Sequence, residues 1–168
     1  ERANRSKQGA GSSTLPSGPI NNEFVMIYIG IDPGEHTGLA VWDGVRGEFL
    51  AVDTMPLHRA FERVLALKDN PAGRPLRVVF EDARQRTWFE RERSASEYRG
   101  KLMGAGAAKR DAKIWEEFLT DHGIPFTAHK PQPGGTKWKA EAFARATGYT
   151  GRTNEHNRDA ALLVYGMR

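Results

Sequence analysis

Apolar residues cluster at positions 25–31 and 39–42, two short runs separated by a turn holding Gly34 and Gly38, and this pattern predicts a β-hairpin. A third strand is expected over 48–55, beyond the turn at 43–47. Positions 58–68 read as a short helix offering Phe61, Val64, Leu65 and Leu67 to a core. The stretch 70–75 breaks it, and 76–80 forms a fourth strand ending at Glu81 and Asp82. After a polar, basic segment at 83–98, Ala108, Ala112, Trp115 and Leu119 recur at helical spacing. They predict a long helix over 101–122, stopped by Gly123 and Pro125. A fifth strand at 125–129, a loop at 131–135, a helix at 137–147 closed by Gly148 and a last helix at 155–167 complete the chain. Ala160, Leu163, Val164 and Met167 share one stripe of that last helix. Three antiparallel strands followed by helix–strand–helix–strand–helix–helix predict an α/β fold, a mixed five-stranded sheet flanked by helices, in one domain over 25–168. No internal repeat is visible. Residues 1–24, rich in Gly, Ser, Asn and Pro without apolar periodicity, are expected to be a disordered extension or cloning remnant, with Met26 as the natural start.

Composition narrows the class. A chain of 168 residues with 39% hydrophobic and 27% charged content can bury a real core. No apolar run approaches the roughly 20 residues of a bilayer span, and no secretory signal opens the chain. The absence of cysteine excludes a disulfide framework and thiolate metal ligands. It is compatible with a reducing cytoplasm, and a nucleoid-associated cytoplasmic location is the expectation. The net charge of +4 is modest, but its distribution is not even. Between Arg84 and Arg110 eight basic residues face only Glu90, Glu92 and Glu97. A second basic stretch carries Lys130, Lys137, Lys139, Arg145, Arg152 and Arg158. Clustered positive charge favours a polyanionic partner.

Three acidic residues recur in one kind of place. Asp32 follows the first strand, Glu81 follows the fourth, and Asp159 lies early in the last helix. His156 stands three residues before Asp159, so both share a helix face, and that face borders the buried stripe. Each has an ordinary alternative: Asp32-Pro33-Gly34 is a turn signature, Glu81-Asp82 a solvated strand end, and His156 with Asp159 a helix-terminus pair. Their joint order, strand-Asp, strand-Glu, helix-Asp, is rarer than its parts. Carboxylates converging from two strand ends and a helix repel one another unless a cation lies between them. Oxygen ligands without thiols select Mg²⁺ or Mn²⁺. Two such ions serve in-line phosphodiester hydrolysis, and a basic surface beside them would hold a nucleic-acid backbone.

Together, GIDPGEHTGLAV at 30–41, VVFEDA at 78–83 and HNRDAALLVYG at 156–166 resemble the RuvC-type Holliday-junction resolvases of the RNase H-like superfamily, and the similarity runs over 26–168. The resemblance implies an RNase H-like sheet and a structure-selective endonuclease that resolves four-way DNA junctions by paired nicks. It assigns metal ligation to Asp32, Glu81 and Asp159, with two ions per site. The family commonly carries a fourth acid where this chain has His156, which is expected to join the catalytic metal ligands, a change that lowers the negative charge and suits Mn²⁺ better. The family also holds DNA with lysines beyond the fifth strand, at positions matching Lys130 and either Lys137 or Lys139. It places an aromatic wedge after the second acid, which Trp88 or Phe89 would supply here, with Arg84, Arg86, Arg91 and Arg93 on phosphates. Paired cutting implies a homodimer, for which the long helix, with Leu102, Met103 and the small residues at 104–108, is the expected interface.

Other readings compete. Gly34 and Gly38 are expected to let backbone approach a metal or scissile phosphate, while Thr37 and His36 read as exposed loop residues. Sugar-kinase-like ATPases use a similar first motif, but they close two related domains around the nucleotide, and this chain has the size of one. A nuclease acting on RNA or non-junction DNA, or a non-catalytic nucleic-acid-binding relative, are the remaining alternatives.

Overall fold

A computed structural model describes residues 26–70, 73–86, 95–131 and 137–168. Strands β1 (Ile27–Asp32), β2 (His36–Asp43) and β3 (Glu48–Pro56) are followed by helix α1 (Leu57–Lys68) and strand β4 (Leu76–Glu81). A single 3-10 turn at Ala83–Gln85 precedes the long helix α2 (Ala95–Asp121), strand β5 (Phe126–His129) and helices α3 (Ala140–Thr147) and α4 (Glu155–Leu162). The sheet order is β3-β2-β1-β4-β5. β1 pairs antiparallel with β2 and parallel with β4, and β5 joins β4 in parallel. This is the predicted mixed five-stranded sheet flanked by helices.

Strand alternation explains the layers. On one face Ile27, Ile29, Ile31, Leu39, Val41, Val78 and Phe80 pack against Ala60 and Val64 of α1 and Ala112, Trp115 and Leu119 of α2. On the other, Ala40, Trp42, Val52 and Val79 meet Phe143 of α3 and Ala160, Ala161 and Val164 of α4. The central strands are therefore apolar on both sides, which is why they read as continuous runs in the sequence.

Three boundaries differ from expectation, each for a local reason. α3 starts at Ala140 because Lys139 adopts extended backbone at its N-cap. α4 ends at Leu162, not 167: Leu163 and Val164 donate to the carbonyls of Ala160 and Ala161, three residues back, and the helix tightens into turns closed by Gly166 at positive φ. α2 begins six residues earlier than predicted, at Ala95. Among the described residues no helix is long and apolar enough to cross a membrane.

Candidate active site

The alternation that sends Ile31 and Phe80 into the first core turns their successors to the opposite face. β1 and β4 run parallel with Ile31 beside Phe80. Asp32 and Glu81, one residue further on each strand, thus leave the sheet at the same level and on the α4 side. Asp159 and His156 come from α4, which lies across β1 and β2. His156 Nδ1 is 3.0 Å from Asp32 Oδ2, with the imidazole largely exposed and the carboxylate mostly covered.

Close packing makes that meeting possible. A Cβ on Gly38 would fall 2.1 Å from the carbonyl oxygen of His156, and one on Gly30 would fall 2.0 Å from that of Ala160. Both distances are impossible contacts, so only glycine lets α4 rest its backbone on the hairpin. This corrects the expectation for Gly38, whose bare backbone faces α4 and not a ligand. Thr37, expected on the surface, is fully buried, and its hydroxyl donates to the Gly34 carbonyl at 2.7 Å to close the turn. His36 is exposed as expected.

The N-terminus of α4 is fastened separately. Asn154 and Asn157 form a reciprocal capping box, Asn157 Nδ2 reaches the Val52 carbonyl, and Thr54 donates to Asn154 Oδ1 at 3.0 Å. Arg158 Nε donates to the Trp138 carbonyl at 2.7 Å, tying α4 to the segment that carries Lys137. Sequence reasoning missed these asparagines because a capping box is normally recognised by Glu or Gln at its third position. It also passed over His129, which pairs in register with Glu81 at the end of β5. Its signal was its place, the same strand-end offset that marked Asp32 and Glu81.

The electrostatics separate these acids from ordinary buried ones. Burial pushes the Asp32 carboxyl above its usual value, and the neighbouring Asp159 charge adds to this against the His156 hydrogen bond. Burial likewise raises Glu81, helped by Asp32 and Asp159, and raises Asp159. Lys137 opposes the rise at all three, so its ammonium lies in the field of the whole cluster, while its own ion pair is with Glu155. Asp43, at the other end of the hairpin, shows the contrast. Burial would raise it too, but hydrogen bonds from the Arg46 and Val45 N–H groups and the Arg74 guanidinium hold it below the usual range. Asp82, next to Glu81, is likewise held low against burial by Arg84. Asp43 and Asp82 are satisfied structural acids, whereas at Asp32, Glu81 and Asp159 the neighbouring positive groups only partly offset burial.

That surplus is the test of a cation. The donor set is three carboxylates and one imidazole without a thiol, which suits Mg²⁺ or Mn²⁺. Among the described residues, however, no group of three or more His, Asp or Glu side chains is arranged so that it could hold a metal ion. The set fits such an ion by charge and ligand type, not by preformed coordination.

The expected nucleic-acid contacts divide. Lys137 lies at the cluster, and the Arg86 charge acts on Glu81. Lys130, exposed, follows β5 directly, and Lys139 is exposed at the start of α3. Arg84 has other partners: it binds both oxygens of Asp82 and reaches Glu116 Oε2 at 2.6 Å, locking the 3-10 turn to α2. Trp88, Phe89, Arg91 and Arg93 lie outside the described residues.

No family model matches the chain, and no curated protein matches it. Among solved structures it is similar to the large terminase nuclease from thermophilic phage G20c, at 17% identity and a TM-score of 0.34, over 62% of this chain and 44% of that one. The chain thus spans less than half the length of that protein.

Proposed function

We propose that the protein is a divalent-metal-dependent nuclease of the RNase H-like kind, and that its substrate is a four-way DNA junction cut by paired nicks from a homodimer. The observation that carries the first part is the gathering of Asp32 and Glu81, at the ends of neighbouring parallel strands, with Asp159 of α4, their charge only partly offset by the protein. The three motifs support the second.

In this reading Asp32, Glu81 and Asp159 would hold the ion, with His156 beside them. Two such ions, when bound, would supply activation of water and stabilisation of the leaving oxygen of a phosphodiester. The chain's own residues do the rest. His156 fixes one oxygen of Asp32, so that the other remains directed by the strand end. Lys137 places a positive charge where a phosphate must arrive, and long-range attraction to the basic surface raises encounter rates. α4, seated on glycine, holds Asp159 and His156 in fixed relation to the strand ends, which is the positioning that in-line displacement requires.

A nicking assay with Mg²⁺ or Mn²⁺ on a four-way junction, a matched linear duplex and an RNA–DNA hybrid tests both parts. Metal-dependent, symmetric junction nicking that is absent in Asp32→Asn is the expected result. Equal cutting of linear DNA or of the hybrid would keep the nuclease and remove the junction. No cutting of any substrate would remove the nuclease.

A further inference from the structure

Beside the carboxylate cluster, the outer face of α3 and the segment before it enclose a groove of about 590 Å³ lined by Lys137, Trp138, Lys139, Ala142, Arg145 and Ala146. That volume is typical of a small-ligand cleft. We infer that this groove holds one unstacked nucleotide of the strand being cut, its ring against Trp138 and its flanking phosphates on Lys139 and Arg145. The inference rests on the nuclease reading for the origin of the strand, but its chemistry stands in the groove itself.

Three observations converge. First, the charge is one-sided: three cations line the groove against a single carboxylate, Glu141. Lys139 and Arg145 are exposed, and neither makes an ion pair among the described residues. Second, the floor is made of small residues. Ala142 and Ala146 are one helical turn apart on α3, so no long side chain fills the space over them, while Trp138 is anchored. It packs on the second core, and its carbonyl accepts from Arg158. An indole held rigid beside free cations is the pairing by which proteins bind single-stranded nucleic acid, stacking on the base and neutralising the phosphate. Third, the groove shares Lys137 with the site. Lys137 lines it and also acts on Asp32, Glu81 and Asp159. A strand whose phosphate lies at the carboxylates would have its neighbouring nucleotide over Trp138. A duplex, whose rings are stacked inward, offers nothing to a concave apolar floor. A nucleotide that has left the stack does.

The test is binding of the full chain to a fluorescein-labelled oligo-dT of about ten nucleotides, followed by anisotropy in EDTA so that no cleavage is needed. Wild type should bind with a salt-dependent affinity. Arg145→Ala and Lys139→Ala should each weaken binding and lower the slope of log K against log salt by about 0.7. Trp138→Leu should weaken binding about 5- to 150-fold with the slope unchanged, and Trp138→Phe should restore most of it. Should Trp138→Leu fail to fold, Ala146→Glu on the exposed face puts a carboxylate into the groove without touching the core, and should weaken binding likewise. Unaltered affinity in Ala146→Glu and in folded Trp138→Leu would overturn the proposal, as would a wild type that does not bind the oligonucleotide. Junction nicking by the same variants separates the two readings. Nicking that persists unchanged while oligonucleotide affinity is also unchanged leaves the nuclease and removes the groove. Affinity losses in a protein that cuts nothing leave the groove and remove the nuclease.

Discussion

Asp32, Glu81 and Asp159 each sit where folding costs something. Burial holds all three carboxyls above their ordinary values, with repulsion from neighbouring carboxylates adding to it at Asp32 and Glu81, so the folded protein binds protons more tightly than the unfolded chain. The stability they contribute is complete below the ordinary carboxylate value of about 4 and is lost as pH rises through the raised folded values. Asp32→Asn, Glu81→Gln and Asp159→Asn should therefore melt a few degrees above wild type at pH 7 without divalent ions, with the difference closing near pH 4. Thermal melts at the two pH values check the sign. Mg²⁺ or Mn²⁺ should raise the wild-type melting temperature and do less for the variants. The same substitutions should lower cleavage at least a hundredfold, since even outer-shell changes at metal sites cost 10- to 100-fold, while junction binding by mobility shift persists. At His156, replacement by Asp restores a hard ligand. His156→Asp should improve Mg²⁺ use relative to Mn²⁺ in parallel cleavage assays, and an unchanged metal preference would leave His156 as a helix-terminus residue.

At the scale of the element, α4 is the part that decides whether the site exists. Gly38→Ala would drive a methyl into the His156 carbonyl, an overpacking of about 1–3 kcal/mol if the helix stays and a displaced site if it moves. Either way cleavage should fall more than tenfold, with the lowered melting temperature showing which response occurs. Asn154→Ala removes a cap and should cost about 1 kcal/mol. These dependencies mark where sequence reading stops. Asp32 and Glu81 were legible because a charged residue ending an apolar run is conspicuous, and strand alternation then dictates its face. The helices on both sides were legible from spacing. The seat under α4 was not: a glycine gives no local sign of which distant backbone will lie against it, so Gly38 read as a ligand-facing turn. Thr37 read as exposed for a similar reason, since its burial depends on the helix above and its hydroxyl bond on the turn it closes. The partners of Arg84 were hidden as well, because Glu116 becomes its neighbour only once α2 has packed.

For the whole molecule the open surface is the N-terminal half of α2. Ala112, Trp115 and Leu119 bury its later turns, whereas Leu102 and Met103 are exposed at 48% and 74%, and among the described residues nothing lies within 4 Å of where a Cβ on Gly104 or Gly106 would be. In the junction-resolving reading a two-fold partner would cover this stretch and bring two sites to one face. Leu102→Glu with Met103→Glu should then shift the protein to monomer in sedimentation at micromolar concentration. It should uncouple the paired nicks while single nicking continues. A wild type that is monomeric at that concentration and still cuts in pairs would contradict the dimer.

The distance along the chain between Asp32 and His156, 124 residues, has a consequence for the moment at which the protein becomes active. Synthesis delivers the strands first, and at 5–20 residues per second α4 follows β1 after roughly ten seconds. Until α4 is made, Asp32 and then Glu81 exist without Asp159, and the glycine seat is empty of its helix. A chain still on the ribosome can thus build its sheet beside nucleic acid without cutting it. If the proposed nuclease reading holds, catalytic competence would have to wait until one short helix settles onto two residues that have no side chains.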